Sequence, residues 1–166
     1  GGVLRSTNGG VVLQNGITVQ GGSITNSSGG TYRVAGTSFL DGVTLSSGST
    51  IDMATAAATG RVVNGMTLNG TLSLGSGSLL NMEGDQTLSG NGSIVFGAGG
   101  NNRVGVDGGS KTLTIASGVT IRGADGSIGL GQLINGSGNR VVNNGTINSD
   151  GGGVITIQGL DGGLAN

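Results

Sequence analysis

The chain contains no cysteine, histidine, proline or tryptophan, and only three aromatic residues, Tyr32, Phe39 and Phe96. Without cysteine there is no disulfide, no thiolate nucleophile and no thiolate metal site. Without histidine there is no Ser-His or Cys-His dyad, no imidazole base near neutral pH and none of the usual zinc ligation. Most enzyme classes lose their main catalyst, and no catalytic residue, cofactor or metal is expected. Charge is also scarce. Seven basic residues face eight acidic ones for a net charge of -1, with no run of one sign. That balance, with one lysine, argues against nucleic acid, which calls for clustered cations and aromatic stacking platforms. Purely apolar runs such as Val11-Val12-Leu13 stop at three residues, so no membrane span is predicted. No signal peptide or initiator methionine is visible. The chain is therefore expected to be a segment, 1–166, of a longer protein.

What is abundant is small. Glycine (40), serine (18), threonine (17) and asparagine (15) make up just over half of the 166 residues. Each interior glycine costs a helix roughly 1 kcal/mol against alanine, which excludes a helical bundle. Glycine without proline and without a strict period of three excludes collagen. Disorder is countered by leucine, valine, isoleucine and phenylalanine, 43 residues together, enough apolar surface to order the chain.

A repeat carries that surface. Asn15-Gly16-Ile17-Thr18-Val19 is echoed at Asp41-Gly42-Val43-Thr44-Leu45, Asn64-Gly65-Met66-Thr67-Leu68 and Ser117-Gly118-Val119-Thr120-Ile121, and more loosely around Thr87 and Thr146. The aligned threonines lie 20 to 33 residues apart, about 26 on average. A second tier (Gly48-Ser49-Thr50-Ile51, Asn69-Gly70-Thr71-Leu72, Asn91-Gly92-Ser93-Ile94) and a third (Arg61-Val62-Val63, Arg103-Val104-Gly105, Arg140-Val141-Val142) give about three short strands per unit. Alternation of apolar residues with Thr, Ser or Asn, and enrichment in Val, Ile and Thr, mark these as strands. A three-strand unit cannot bury its own apolar face and has to stack on its neighbours. A sandwich would want longer strands and large core aromatics. The prediction is therefore all-β: a right-handed single-stranded parallel β-helix (β-solenoid) of roughly six coils, each adding about 4.8 Å. In that register Ile17, Val43, Met66 and Val119 form one inward ladder. Val19, Leu45, Leu68, Leu88, Ile121 and Ile147 form another. Asn15 and Asn64 are expected to ladder their amides, and Ala54 to Ala58 to form a loop excursion between coils.

The runs Asp85 to Gly97, Leu113 to Gly123 and Val141 to Thr156 resemble the passenger regions of filamentous-haemagglutinin-like adhesins and related autotransporters. The resemblance runs from about residue 11 to the end and is one of repeat style; the units are longer and less regular than that family's tightest repeats. It implies a right-handed parallel β-helix, export across a Gram-negative envelope to the cell surface or medium, and a role as adhesin or stalk. Implied partners are surface glycans or proteins of a host or neighbouring cell, and flanking β-helix coils of the parent chain.

Against that non-catalytic reading stand several candidate sites. A polysaccharide-active or polysaccharide-binding β-helix would need acidic residues gathered on one groove. The close acidic pair is Glu83 and Asp85, and Arg33, Arg61, Arg103 and Arg140 could supply a basic stripe. Charges that keep a rod soluble are the plainer explanation. The Gly99–Asp107 and Asp150–Gly153 strings approach calcium-binding repeats without a nine-residue period. Sequons at Asn26, Asn69, Asn91, Asn135 and Asn144 are glycan acceptors or a by-product of composition. Thr18, Thr44, Thr67, Thr120 and Thr146 would form a water-ordering row if they aligned.

Overall fold

Each strand of this chain pairs in parallel with the segment one coil further along the sequence: Val3 with Ser23, Val11 with Thr31, Arg103 with Ser127 and Thr112 with Arg140. The computed structural model describes every residue except Ala56, and residues 132–135 by their backbone alone. The described residues contain no helix and form a single parallel β-solenoid, in agreement with the predicted β-helix. The column Val12, Tyr32, Ile51, Leu72, Ile94, Ile121, Ile147 counts seven turns where about six were expected.

Three faces make up the rod. The first carries Val11–Asn15, the start of Thr31–Leu45, then Thr50–Met53, Thr71–Leu74, Ser93–Phe96, Thr120–Gly123 and Thr146–Asn148. The second carries Thr18–Gln20, the middle of Thr31–Leu45, the start of Ala58–Leu68, then Leu79–Glu83, Arg103–Gly108, Gly126–Asn135 and Ile155–Ile157. The third begins at Val3–Ser6 and runs through Ser23–Asn26, the ends of the two long strands, Gln86–Ser89, Thr112–Ile115, Arg140–Asn143 and Gly163–Ala165. Alternation sends every second residue inward. The second face stacks Val19, Leu40, Val62, Met82, Val106 and Leu130. The third stacks Leu4, Ile24, Leu45 and Leu68 beside Val43, Met66, Leu88 and Ile115. Away from the end turns these side chains are buried, except Leu130, which is 37% exposed.

The predicted ladders are therefore half right. Val43–Met66 and Leu45–Leu68 do stack. Val19 instead stacks on Leu40, Leu88 on Met66, and Ile121 and Ile147 belong to the first face. Ile17 precedes Thr18 on the second face and lies 55% exposed. The cause is a shared local signal: Gly-x-Thr-apolar opens strands on more than one face, because every face begins after a glycine-containing corner.

Those corners set the spacing. Between the third and first faces, i to i+3 backbone bonds close tight turns: Gly10 N–H to Thr7 O, Gly30 N–H to Ser27 O, Ser49 N–H to Ser46 O and Val119 N–H to Ala116 O. Successive turns approach so closely there that a Cβ on Gly92 would lie 2.2 Å from the Gly70 carbonyl oxygen, a position only glycine can hold. Asparagine works at corners too, in a different way from the predicted Asn15–Asn64 ladder. Asn64 donates to Asp41 across a corner, whereas buried Asn102 donates to the carbonyls of Gly97, Gly99 and Asp125. Asn139 likewise donates to the Val106 and Gly136 carbonyls.

Ala54 and Thr55 form a loop, as predicted, but within one turn, between the first and second faces, and Ala58 already opens a strand. Ala56 lies outside the described residues. Asp52 organises this loop. Burial pushes its carboxyl up, but the Thr55 hydroxyl, the Arg33 guanidinium and the N–H groups of Ala54 and Thr55 outweigh that and hold it below its ordinary value.

The core holds one polar knot. Tyr32 donates its hydroxyl to Gln14 Oε1 at 2.9 Å, and Gln14 Nε2 donates to the carbonyls of Ile17 and Phe39. At the two end turns the inward columns are uncovered: Leu4 at one end and Ile157 and Leu164 at the other are 36% to 40% exposed.

Two outcomes follow from this packing. Leu68→Asp places an unpaired charge in a fully buried column, at a cost of several kcal/mol, and should abolish the sheet signal in circular dichroism; a variant melting like the parent would put Leu68 on the outside. Burial pushes the Tyr32 phenol from 10.0 up to about 12, so the fold favours its neutral form. Its stabilising effect is full below about pH 10 and is lost as pH rises toward 12. Tyrosinate absorbance of this single tyrosine should accordingly appear above pH 10 and together with unfolding; ionisation at the ordinary value with the sheet intact would contradict the buried placement.

Candidate functional site

Polar side chains that are not spent on corners gather on the outward side of the second face. Register brings Phe39, Arg61, Asn81, Gly105 and Gly129 into one column, with Glu83 and Asp107 side by side in the next. The Arg61 guanidinium lies 4.7 Å from the centre of the Phe39 ring and donates to Glu83. Asn81 Nδ2 donates to the Asp107 carboxylate. Both residues point outward from their strands yet are 0% and 1% exposed, because the chain at Leu130 and Gly131 crosses above them: a Cβ on Gly131 would lie 2.1 Å from Asp107 Oδ1. Asn81 Oδ1 is buried with no hydrogen-bond partner among the described residues. The pair is thus closed to a substrate, and Glu83 is committed to Arg61.

An open pocket lies further along the same face. It measures about 220 Å³ and is lined by Arg103, Ser127, Thr156, Gln158, Asn101 and Asp125, among others. Arg103, Ser127 and Thr156 occupy successive rungs of one outward column, so their backbones follow one another at about 4.8 Å. The Asp125 carboxylate accepts the N–H groups of Gly99 (2.8 Å) and Val154 (3.1 Å), which hold it below its ordinary value.

The residues singled out in the sequence are dispersed. Glu83 and Asp85 do not share a groove: Asp85 is exposed, accepts the Thr112 N–H at 2.9 Å and faces Lys111 at 3.9 Å. The four arginines form no stripe. Arg33 pairs with Asp52 on the first face, Arg61 and Arg103 stand in different columns of the second, and Arg140 is on the third. The two calcium-like strings separate as well. Asp107 faces Asn81, and Asp150 pairs with Arg122 at 3.4 Å. Among the described residues no three metal-ligating His, Cys, Asp or Glu side chains meet. Of the sequons, Asn26 is tied to the Thr50 backbone through both amide atoms and Asn69 accepts the Asn91 N–H. Asn91 and Asn144 are exposed, and the Asn135 side chain lies outside the described residues. The five threonines fall on three faces and make no single row: Thr44 and Thr67 stack in a hydroxyl row Ser23, Thr44, Thr67, Ser89 on the third face, and Thr120 and Thr146 in the row Thr50, Thr71, Ser93, Thr120, Thr146 on the first, with Thr18 on the second.

Sequence reasoning does not single out Asn81, Ser127 or Thr156, and it names Asp107 only as part of a calcium-like string. Their signal lies in register, which aligns Arg61 with Asn81 and Arg103 with Ser127 across turns of unequal length. The chain matches no protein-family model, no curated protein and no solved structure.

Removing the amide that faces Asp107 should be costly. Asn81→Leu leaves a buried carboxylate short of a donor and should lower stability by about 1–3 kcal/mol in urea unfolding, whereas Asp107→Asn, which keeps an acceptor for Asn81, should cost less. Equal midpoints for both variants and the parent would mean that the contact contributes nothing.

Proposed function

We propose that the chain is a non-catalytic structural and adhesive segment of a bacterial cell-surface or secreted β-helical protein, in the manner of an adhesin or autotransporter passenger stalk. The observation that carries this reading is the rod itself: seven stacked turns with a continuous apolar core. Most of its charges are spent on pairing one turn with the next. In a linear stack of this kind stability is a sum of turn-to-turn interfaces, and length comes at no cost to the cross-section. The uncovered end turns suit continuation by flanking coils, and the polar outward faces suit glycans or proteins of another surface. Among the described residues no helix is long and apolar enough to cross a membrane.

A polysaccharide-active β-helix is the second reading, favoured by the pocket that brings Arg103 and Asp125 together. Incubation of the chain with a broad glycan and polysaccharide panel, reading retention and new chain ends in the same wells, separates the two. Retention without cleavage is the expected result. New chain ends would overturn the non-catalytic reading, and neither signal would remove adhesion and leave only spacing.

A further inference from the structure

We infer that the Arg103 pocket is a subsite for a carboxylate-bearing sugar, so that the rod prefers acidic glycans to neutral ones. This inference rests on the adhesive reading above and names its ligand class.

Arg103 is the anomaly among the cations. Arg33, Arg61, Lys111 and Arg122 each face a carboxylate one turn away, while Arg5 and Arg140 are exposed to solvent. Arg103 is partly buried, yet its guanidinium makes no hydrogen bond or ion pair with any described residue; its backbone N–H is taken by the Ser78 carbonyl. A fork of five donors that faces an open pocket without a protein acceptor is matched by a carboxylate, which it can hold through two parallel bonds.

The surroundings fit a sugar rather than a bare anion. Beyond Arg103 the same column presents the Ser127 and Thr156 hydroxyls, with the Gln158 and Asn101 amides also in the lining. These are neutral donors and acceptors of the kind that ring hydroxyls require. The volume, about 220 Å³, is below the roughly 300 Å³ of a self-sufficient small-molecule site and suits one unit of a longer chain. Asp125 is the one acidic residue in the lining. It forms no ion pair with Arg103, and its two oxygens accept backbone N–H bonds from Gly99 and Val154, which turns its charge toward the backbone. The wall is also fixed in advance: Asn102, fully buried, binds three carbonyls and accepts the Gly77 N–H, so little ordering remains for binding to cost.

The test uses the whole chain with oligogalacturonate and a neutral galactan of equal length, titrated at low and physiological salt. The acidic oligomer should bind roughly tenfold or more tightly than the neutral one, and less tightly as salt rises. Arg103→Ala should lose that preference. Arg103→Lys, which keeps charge without the fork, should retain only part of it, and Arg140→Ala on the third face should bind as the parent does, with circular dichroism confirming the sheet in each variant. Equal affinity for both oligomers, or an Arg103→Ala variant that binds like the parent, would overturn the subsite while leaving adhesion intact if other panel glycans are retained. Full displacement by acetate at equal carboxylate concentration would reduce the site to a bare anion site and overturn the sugar assignment. Binding of no glycan at all would overturn both the subsite and the adhesive reading.

Discussion

The structure depends on one constraint: every strand must hydrogen-bond in parallel to the same face of the next turn, at the spacing of a β-ladder. Corners inherit that spacing, which is why Gly92 lies against the Gly70 carbonyl with no room for a methyl group. Side chains inherit it as well. The ion pairs Arg33–Asp52, Arg61–Glu83, Lys111–Asp85 and Arg122–Asp150 each join residues one turn apart. So does the reciprocal bonding of the Asn26 amide to the Thr50 backbone. Chemistry that recurs at this spacing is reinforced, and what fails to recur is placed on a corner or buried.

Fold class was legible because it rests on properties that survive irregular spacing. Short alternating segments of Val, Ile and Thr between glycines predict strands wherever they fall, and the absence of large residues predicts a narrow core. Register was not legible. The interval between rungs lengthens along the chain: Tyr32 stacks on Ile51 in an early, short turn, and Ile94 on Ile121 in a later, longer one. The added length sits in corners such as that between Phe96 and Arg103. The Gly-x-Thr signal marks strand entry without saying on which face. Thr120 therefore looked equivalent to Thr67, although Thr120 stacks on Ser93 and Thr67 on Ser89.

The same limit governed the functional surface. Glu83 and Asp85 are close in sequence but belong to a strand end and an exposed corner, while Glu83 and Asp107, a full turn apart along the chain, are neighbours. Burial of Asp107 was beyond reach for a further reason: it arises from the backbone near Gly131 crossing an outward face, a departure from the alternation on which every inward or outward assignment relies. Arg103 could be named from the sequence, but its lack of a partner among the described residues could not, since that is a statement about what stands one rung away.

The stacked rungs have a mechanical meaning. Tension along the rod acts along the ladder hydrogen bonds, and all three faces of one interface share the load while successive interfaces bear it in series. The final interface has three paired residues on each face, whereas the one before it has four or five. Interfaces that differ in the number of paired residues then give way one turn at a time, those with the fewest first. Each detached turn exchanges about 4.8 Å of rod for roughly 20 residues or more of free chain, about 70 Å when extended. A stack of this kind under load lengthens in steps instead of parting at once.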